Sequence, residues 1–195
     1  MIRLVDAVAD PAAARAAALD EFRSGGLVVL PTETVYGLAV LPSGPRAVDA
    51  MFRRKGRSDN RPVAVLVADV DQARTVVEPG PAFELLAASF WPGPLTVVTT
   101  RGVGFSARLG GDQVTVGVRC PDHELVRALA AEVGPLAVTS ANRSGRPTEA
   151  DARSAAEALG GDLLVLDGGP CTGAPSTVVD VTADPARVLR SGSIG

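Results

Sequence analysis

The 195-residue chain predicts an α/β layered domain built on a mixed sheet. Short apolar runs of strand length alternate with alanine-rich or amphipathic helical stretches along its length. Some of the segments between strands are not helical, so the sheet cannot be purely parallel. No internal repeat, low-complexity tract or linker interrupts the pattern, and residues 1–195 read as a single domain.

Asp10-Pro11 opens the first helix, with Asp as N-cap and Pro at the first helical position. Alanines sustain it through Phe22, and Gly25-Gly26 ends it. Residues 27–30 form a buried strand stopped by Pro31. Residues 43–54 are helical, with Val48, Met51 and Phe52 on one face. A buried strand over 62–67 precedes helices over 70–77 and 81–90. After Trp91-Pro92-Gly93-Pro94, strands are expected over 95–99 and 114–119, then an amphipathic helix over 122–133. A strand at 136–139, a helix at 149–159 and strands at 163–166, 177–179 and 187–189 complete the set.

Composition excludes several classes. Lys and Arg number 19 against 22 Asp and Glu, a formal charge of −3, and the pI is near 5.2. Proteins that grip nucleic acid through its backbone charge are ordinarily basic. Five Phe, one Tyr and one Trp supply few stacking platforms for single strands. Mean hydropathy is +0.22, yet no apolar run approaches the ~20 residues of a spanning helix. Acidic residues arrive too early in the N-terminal stretch for a secretory signal, so a cytoplasmic location is expected. Cys120 and Cys171 lack C-x-x-C spacing and His123 is the one histidine, so no protein metal site is expected.

Lys55-Gly56-Arg57 and Ser140-Ala141-Asn142 are the most informative triplets. A Lys and an Arg one residue apart make a two-charge clamp for phosphate or carboxylate oxygens. Ser140 and Asn142, at a strand end, add a hydroxyl and an amide that can orient such a ligand. Pro31-Thr32-Glu33-Thr34-Val35-Tyr36 also follows a strand, at the end where α/β sheets collect ligands. Thr115 and Arg119 share strand parity and hence a face. Each feature has an ordinary structural account too: helix-dipole complement for the basic cluster, capping for the threonines, a surface position for Arg119. No G-x-x-x-x-G-K-[ST], G-x-G-x-x-G or G-x-S-x-G occurs, so any nucleotide needs a different cradle.

In chain order, PTETVYGL, KGRSDNRPV, FWPGPLT, VGVRCP, TSANRSG, the late PST and the final VLRSG resemble the YrdC-like family of threonylcarbamoyl-AMP synthases over residues 20–192. The resemblance implies a twisted open α/β sheet with a large, concave, basic cavity. It implies a nucleotidyltransferase that joins L-threonine, bicarbonate or carbon dioxide, and ATP, releasing pyrophosphate. By resemblance Thr34, Arg119 and Ser176 meet threonine. Arg57, Thr115, Ser140, Thr148 and Arg190 meet ATP, while Lys55 and Asn142 complete the clamp with Arg57 and Ser140 as the catalytic set. Magnesium enters with ATP.

The product serves a downstream tRNA threonylcarbamoyl-transferase complex that modifies ANN-decoding tRNAs, and a weak direct contact with tRNA is expected. Two positions depart from the family pattern. Arg61 stands where Asn is frequent, adding a cation on the ATP side, and Leu66 stands where many members have His. Longer members carry a second C-terminal domain, for which no counterpart is expected before Gly195. The competing readings are an RNA-binding module and a HypF-type carbamoyl-transfer domain.

Overall fold

A single mixed sheet organises the described residues, 1–56 and 61–194, of the computed structural model. Its strands are β1 (Ile2–Asp6), β2 (Val28–Leu30), β3 (Gly37–Val40), β4 (Ala64–Leu66), β5 (Leu95–Thr100), β6 (Thr115–Arg119), β7 (Leu136–Ser140), β8 (Leu163–Asp167), β9 (Thr177–Asp180) and β10 (Arg187–Arg190). The helices are α1 (Pro11–Arg23), α2 (Pro45–Lys55), α3 (Val70–Arg74), α4 (Pro81–Phe90), α5 (Glu124–Val133) and α6 (Ala152–Leu159). The spatial strand order is β1-β8-β2-β3-β7-β4-β6-β5-β9-β10. Parallel pairs (β1/β8, β2/β8, β4/β6, β5/β9) mingle with antiparallel ones (β2/β3, β3/β7, β4/β7, β5/β6, β9/β10), as the non-helical connections require.

Strand alternation sorts the core into two layers. Val29, Leu38, Val40, Val65, Ala137 and Val165 face α2, α4 and α6, where Met51, Phe83 and Ala155 are buried. Val28, Leu30, Ala39, Leu66, Val138 and Leu164 face the other way, toward Ala18 and Phe22 of α1 and Val126 and Leu129 of α5. On that second face α1 and α5 cover the β1–β7 side. Over β4, β6, β5 and β9 the same face carries Leu66, Gly117, Arg119, Thr96, Val98 and Val178, which line an open cavity.

Several boundaries differ from the sequence reading, each for a local reason. β1, which no expected strand covers, is a sheet edge that pairs among the described residues with β8, far along the chain. β3, which no expected strand covers, begins directly after the Pro31–Tyr36 segment and pairs with both β2 and β7. The helix expected over 70–77 stops at Arg74, where the Thr75 hydroxyl donates to Gln72 O at 2.7 Å. Val76 and Val77 are drawn off by the sheet side: Gly102 N donates to Val76 O, and Val77 bridges Arg101. α6 starts at Ala152 rather than 149, because Asp151 caps it by accepting from Ser154 N at 2.8 Å. No helix among the described residues is long and apolar enough to cross a membrane.

His123 occupies the N-cap position of α5 without a side-chain capping bond, and its Nδ1 is buried and unpartnered. Burial, helped by the charge of Arg127, holds its pKa below the ordinary imidazole value against the pull of Glu33 and Asp122. The unfolded chain takes up this proton first, near pH 6.5, so stability should fall as pH drops through that value. The slope is at most about 1.4 kcal/mol per pH unit. Urea unfolding at pH 7.5 and 5.5 checks this; His123→Asn, which puts a favoured N-cap residue there, should lose that component of the slope.

Candidate functional site

The cavity encloses about 340 Å³, within the range of small-molecule sites, roughly 300–1,000 Å³. Register explains its two ends. Leu66 is paired with Arg119 on one side and Leu136 on the other, placing these three at one level. Thr115 lies four residues back along β6, about 13 Å away at ~3.3 Å per residue. β7 runs antiparallel to β4, so its last residue, Ser140, lies toward the Thr115 end. Thr148 also lines the wall. Gly117 lies midway, where a Cβ would sit 3.3 Å from Thr96 Cγ2, and at Gly37 a Cβ would press to 2.7 Å from Val138 Cγ1. Gly117→Val should keep the strand but fill the middle of the cavity. We expect ligand affinity at both ends to fall about tenfold or more, near 1.4 kcal/mol, with the melting temperature little changed; titration calorimetry and thermal melts check both.

At the Arg119 end, polar side chains interlock. Arg119, 6% exposed, donates from Nε to Gly93 O at 3.1 Å and from Nη1 to Thr34 Oγ1 at 3.0 Å. Its Nη2 faces Glu33 Oε2 at 2.7 Å. Thr32 Oγ1 accepts from the Thr34 and Val35 amides and lies 2.9 Å from Thr34 Oγ1, a local hydroxyl turn that stiffens the loop. Ser176 Oγ is 2.8 Å from Thr96 Oγ1 and accepts from Arg190 Nη2 at 3.0 Å. Arg190 also donates to Ser176 O from Nε and Nη2. Partial burial first, then the charge of Arg119, hold the Arg190 guanidinium below the ordinary arginine range. A register shift between Val188 and Arg190 marks a bulge in β10, where Leu189 and Arg190 line the cavity. The two arginines are the charged residues among those described that line the wall.

Lys55 and Asn142 stand behind the wall rather than on it. Lys55 is 3% exposed, and Nζ donates to Ser140 O at 2.6 Å and to Asn142 Oδ1 at 2.8 Å. Ser140 Oγ donates to Asn142 Oδ1 at 2.6 Å, Asn142 Nδ2 donates to Arg146 O, and Ser144 N donates to Lys55 O. The two triplets are thus brought together, with Lys55 welding the C-terminus of α2 to the Ser140–Arg146 loop. Its neighbour Arg54 reaches across to the turn between α6 and β8, where it donates to the carbonyls of Gly160 and Asp162. Gly56 caps α2 at φ 57°, a left-handed conformation that favours glycine. Arg57 lies outside the described residues. Arg61 is exposed and does not line the wall, although the next residue, Pro62, does.

Tyr36 is buried, its phenol bonded to Gly169 O and held away from the cavity. Burial also pushes the Cys120 thiol up to about 11 and raises that of Cys171, so neither is a ready nucleophile at neutral pH. Three contributors escaped the sequence reading: Thr96, Gly117, and Glu33 as the partner of Arg119. Only the strand parity of Thr96 and Gly117, once register is known, identifies them.

An open mixed sheet with one uncovered face, and a two-ended cavity lined by paired arginines and hydroxyls, defines an α/β protein for an anionic small molecule. Residues 20–192 match the Sua5/YciO/YrdC family, described as "Telomere recombination", and the chain belongs to that family. A Mycobacterium tuberculosis relative is 41% identical over 181 residues, covering 91% of this chain and 83% of its own. The threonylcarbamoyl-AMP synthase of Bacillus subtilis is 39% identical over 190 residues, 95% of this chain; the chain spans 54% of that protein's length. The crystal structure of Pyrococcus abyssi Sua5 complexed with L-threonine superposes with a TM-score of 0.86 at 36% identity, over 98% of this chain and 57% of the other.

Proposed function

We propose that the chain is an L-threonylcarbamoyladenylate synthase, making threonylcarbamoyl-AMP and pyrophosphate from L-threonine, bicarbonate or carbon dioxide, and ATP. The observation that carries this reading is the cavity's division into an arginine–hydroxyl end and a hydroxyl end about 13 Å apart. Arg119, with Thr34 and Ser176, takes the threonine carboxylate and hydroxyl. Thr115, Ser140 and Thr148, with Arg57, take the nucleotide; Arg61, exposed and off the wall, has no part in holding it.

Threonine's neutral amine attacks carbon dioxide, forming the N–C bond and losing a proton to solvent. A carbamate oxygen then attacks the α-phosphorus, and the bond to pyrophosphate breaks. No protein nucleophile is needed. The protein aligns two anions that repel one another and stabilises charge growing at phosphorus. Carbamate and α-phosphate must meet near the threonine, so Arg190, bonded to Ser176 at that end, suits the α-phosphate rather than the distal triphosphate. Lys55 acts from behind, holding the Ser140–Asn142 turn.

Among the described residues no group of three or more His, Cys, Asp or Glu offers a cation cage. A magnesium ion would enter with ATP, held by the nucleotide's own phosphates, and would offset their charge. The product would pass to a tRNA threonylcarbamoyl-transferase complex; an acidic protein suits small-molecule hand-over better than tight RNA binding. An omission assay tests the reading. Pyrophosphate release should require ATP, threonine and bicarbonate together, and equal release without threonine would refute it. Salt-sensitive RNA affinity without such turnover would favour the RNA-binding alternative.

A further inference from the structure

We infer that Glu33 is a positioning residue for the threonine end, acting through Arg119; this rests on the reading of Arg119 as the group that meets the threonine carboxylate. The Arg119 guanidinium is held from three directions, by Gly93 O, Thr34 Oγ1 and Glu33 Oε2. Nη2 and Glu33 Oε2 are sealed from solvent and approach to 2.7 Å without hydrogen-bond alignment, so their contact is a charge pair. Arg119 and Thr34 line the cavity; Glu33 does not. Glu33 therefore does not occupy the ligand's place. It draws the Nη2 edge into the wall and leaves the Nη1 edge, beside Thr34, turned toward the cavity.

Glu33 is itself anchored, because Oε1 accepts the Asp122 amide at 2.9 Å, just beyond the end of β6. One carboxylate thus ties the loop after β2 to the strand that carries Arg119. Without it, a buried guanidinium loses its counter-charge and the restraint on one edge, and its fork no longer presents a fixed geometry to a planar carboxylate. Glu33→Gln retains an oxygen for the Asp122 amide, removes the charge and sets an NH2 donor against Arg119 Nη2.

The test is calorimetric titration of threonine, with steady-state pyrophosphate release, on wild type, Glu33→Gln, Arg119→Lys and the double variant. Glu33→Gln should raise threonine Kd and KM about tenfold and leave the ATP KM within about twofold. In the Arg119→Lys background the same change should move threonine Kd less than about twofold, since the residue acts through the fork. Glu33→Asp keeps the charge and should lose less than Glu33→Gln; it also serves if the glutamine variant does not fold. Equal loss in both backgrounds, or an unchanged threonine Kd in Glu33→Gln, overturns the inference while wild-type threonine binding stands. Wild-type protein that binds no threonine overturns both this inference and the proposed function.

Discussion

Arg119→Ala should abolish threonine-dependent pyrophosphate release, lifting the threonine KM by about two orders of magnitude or more. Two losses combine. The carboxylate loses a charge-assisted fork, worth roughly 1.5–3 kcal/mol, and Glu33, partly buried with Oε2 sealed from solvent, loses its counter-charge and keeps only the Asp122 amide. Breaking a fully buried pair costs roughly 3–5 kcal/mol and this partly exposed one less, so the variant should also melt a few degrees lower. Arg119→Lys separates the two: it keeps a cation near Glu33 but cannot reach Gly93 O, Thr34 and a ligand in one plane. It should recover much of the stability and little of the threonine affinity. Kinetics with threonine varied at saturating ATP, alongside thermal melts, check both. Full activity in Arg119→Ala would remove the threonine end from the proposal.

Lys55→Ala is expected to impair stability and activity together. Treated as a ligand clamp, Lys55 would be dispensable for folding, but its ammonium is buried against Ser140 O and Asn142 Oδ1. Truncation strands those acceptors, costing about 2–5 kcal/mol. At roughly 2–4 °C per kcal/mol for a chain of this size, the melting temperature should fall by about 5–15 °C. The Ser140–Asn142 turn would lose its register, so ATP affinity should fall while threonine affinity changes less. An unchanged melting temperature with lost catalysis would instead place Lys55 directly on the phosphates.

Much of the fold was legible because apolar strand runs and helix caps are local. α1 announced itself through Asp10-Pro11 and its alanines, and the buried strands through unbroken runs such as Val28–Leu30. β1 and β3 were not legible, since an edge strand and a four-residue strand just after a polar turn owe much of their form to the distant partners β8 and β7. The residues of the site were legible as types, but not their division of labour. Lys55 sits behind the wall because β3 and β7 pair and bring Ser140 over the end of α2, a consequence of topology. Leu66 does face the cavity, level with Arg119, so the threonine end is bounded by an apolar side chain there. Glu33 read as one polar group among several in a loop; only its 2.7 Å approach to Arg119 gives it a task.

The most direct test of the two-ended cavity is a crystal structure of the protein with L-threonine and a non-hydrolysable ATP analogue. The threonine carboxylate should lie on Arg119 beside Thr34, with its amine toward the α-phosphate. That phosphate should lie within reach of Arg190, and the nucleotide should extend toward Thr115, Ser140 and Thr148. Threonine at the Thr115 end, or either ligand bound off the face formed by β4, β6, β5 and β9, would contradict the account.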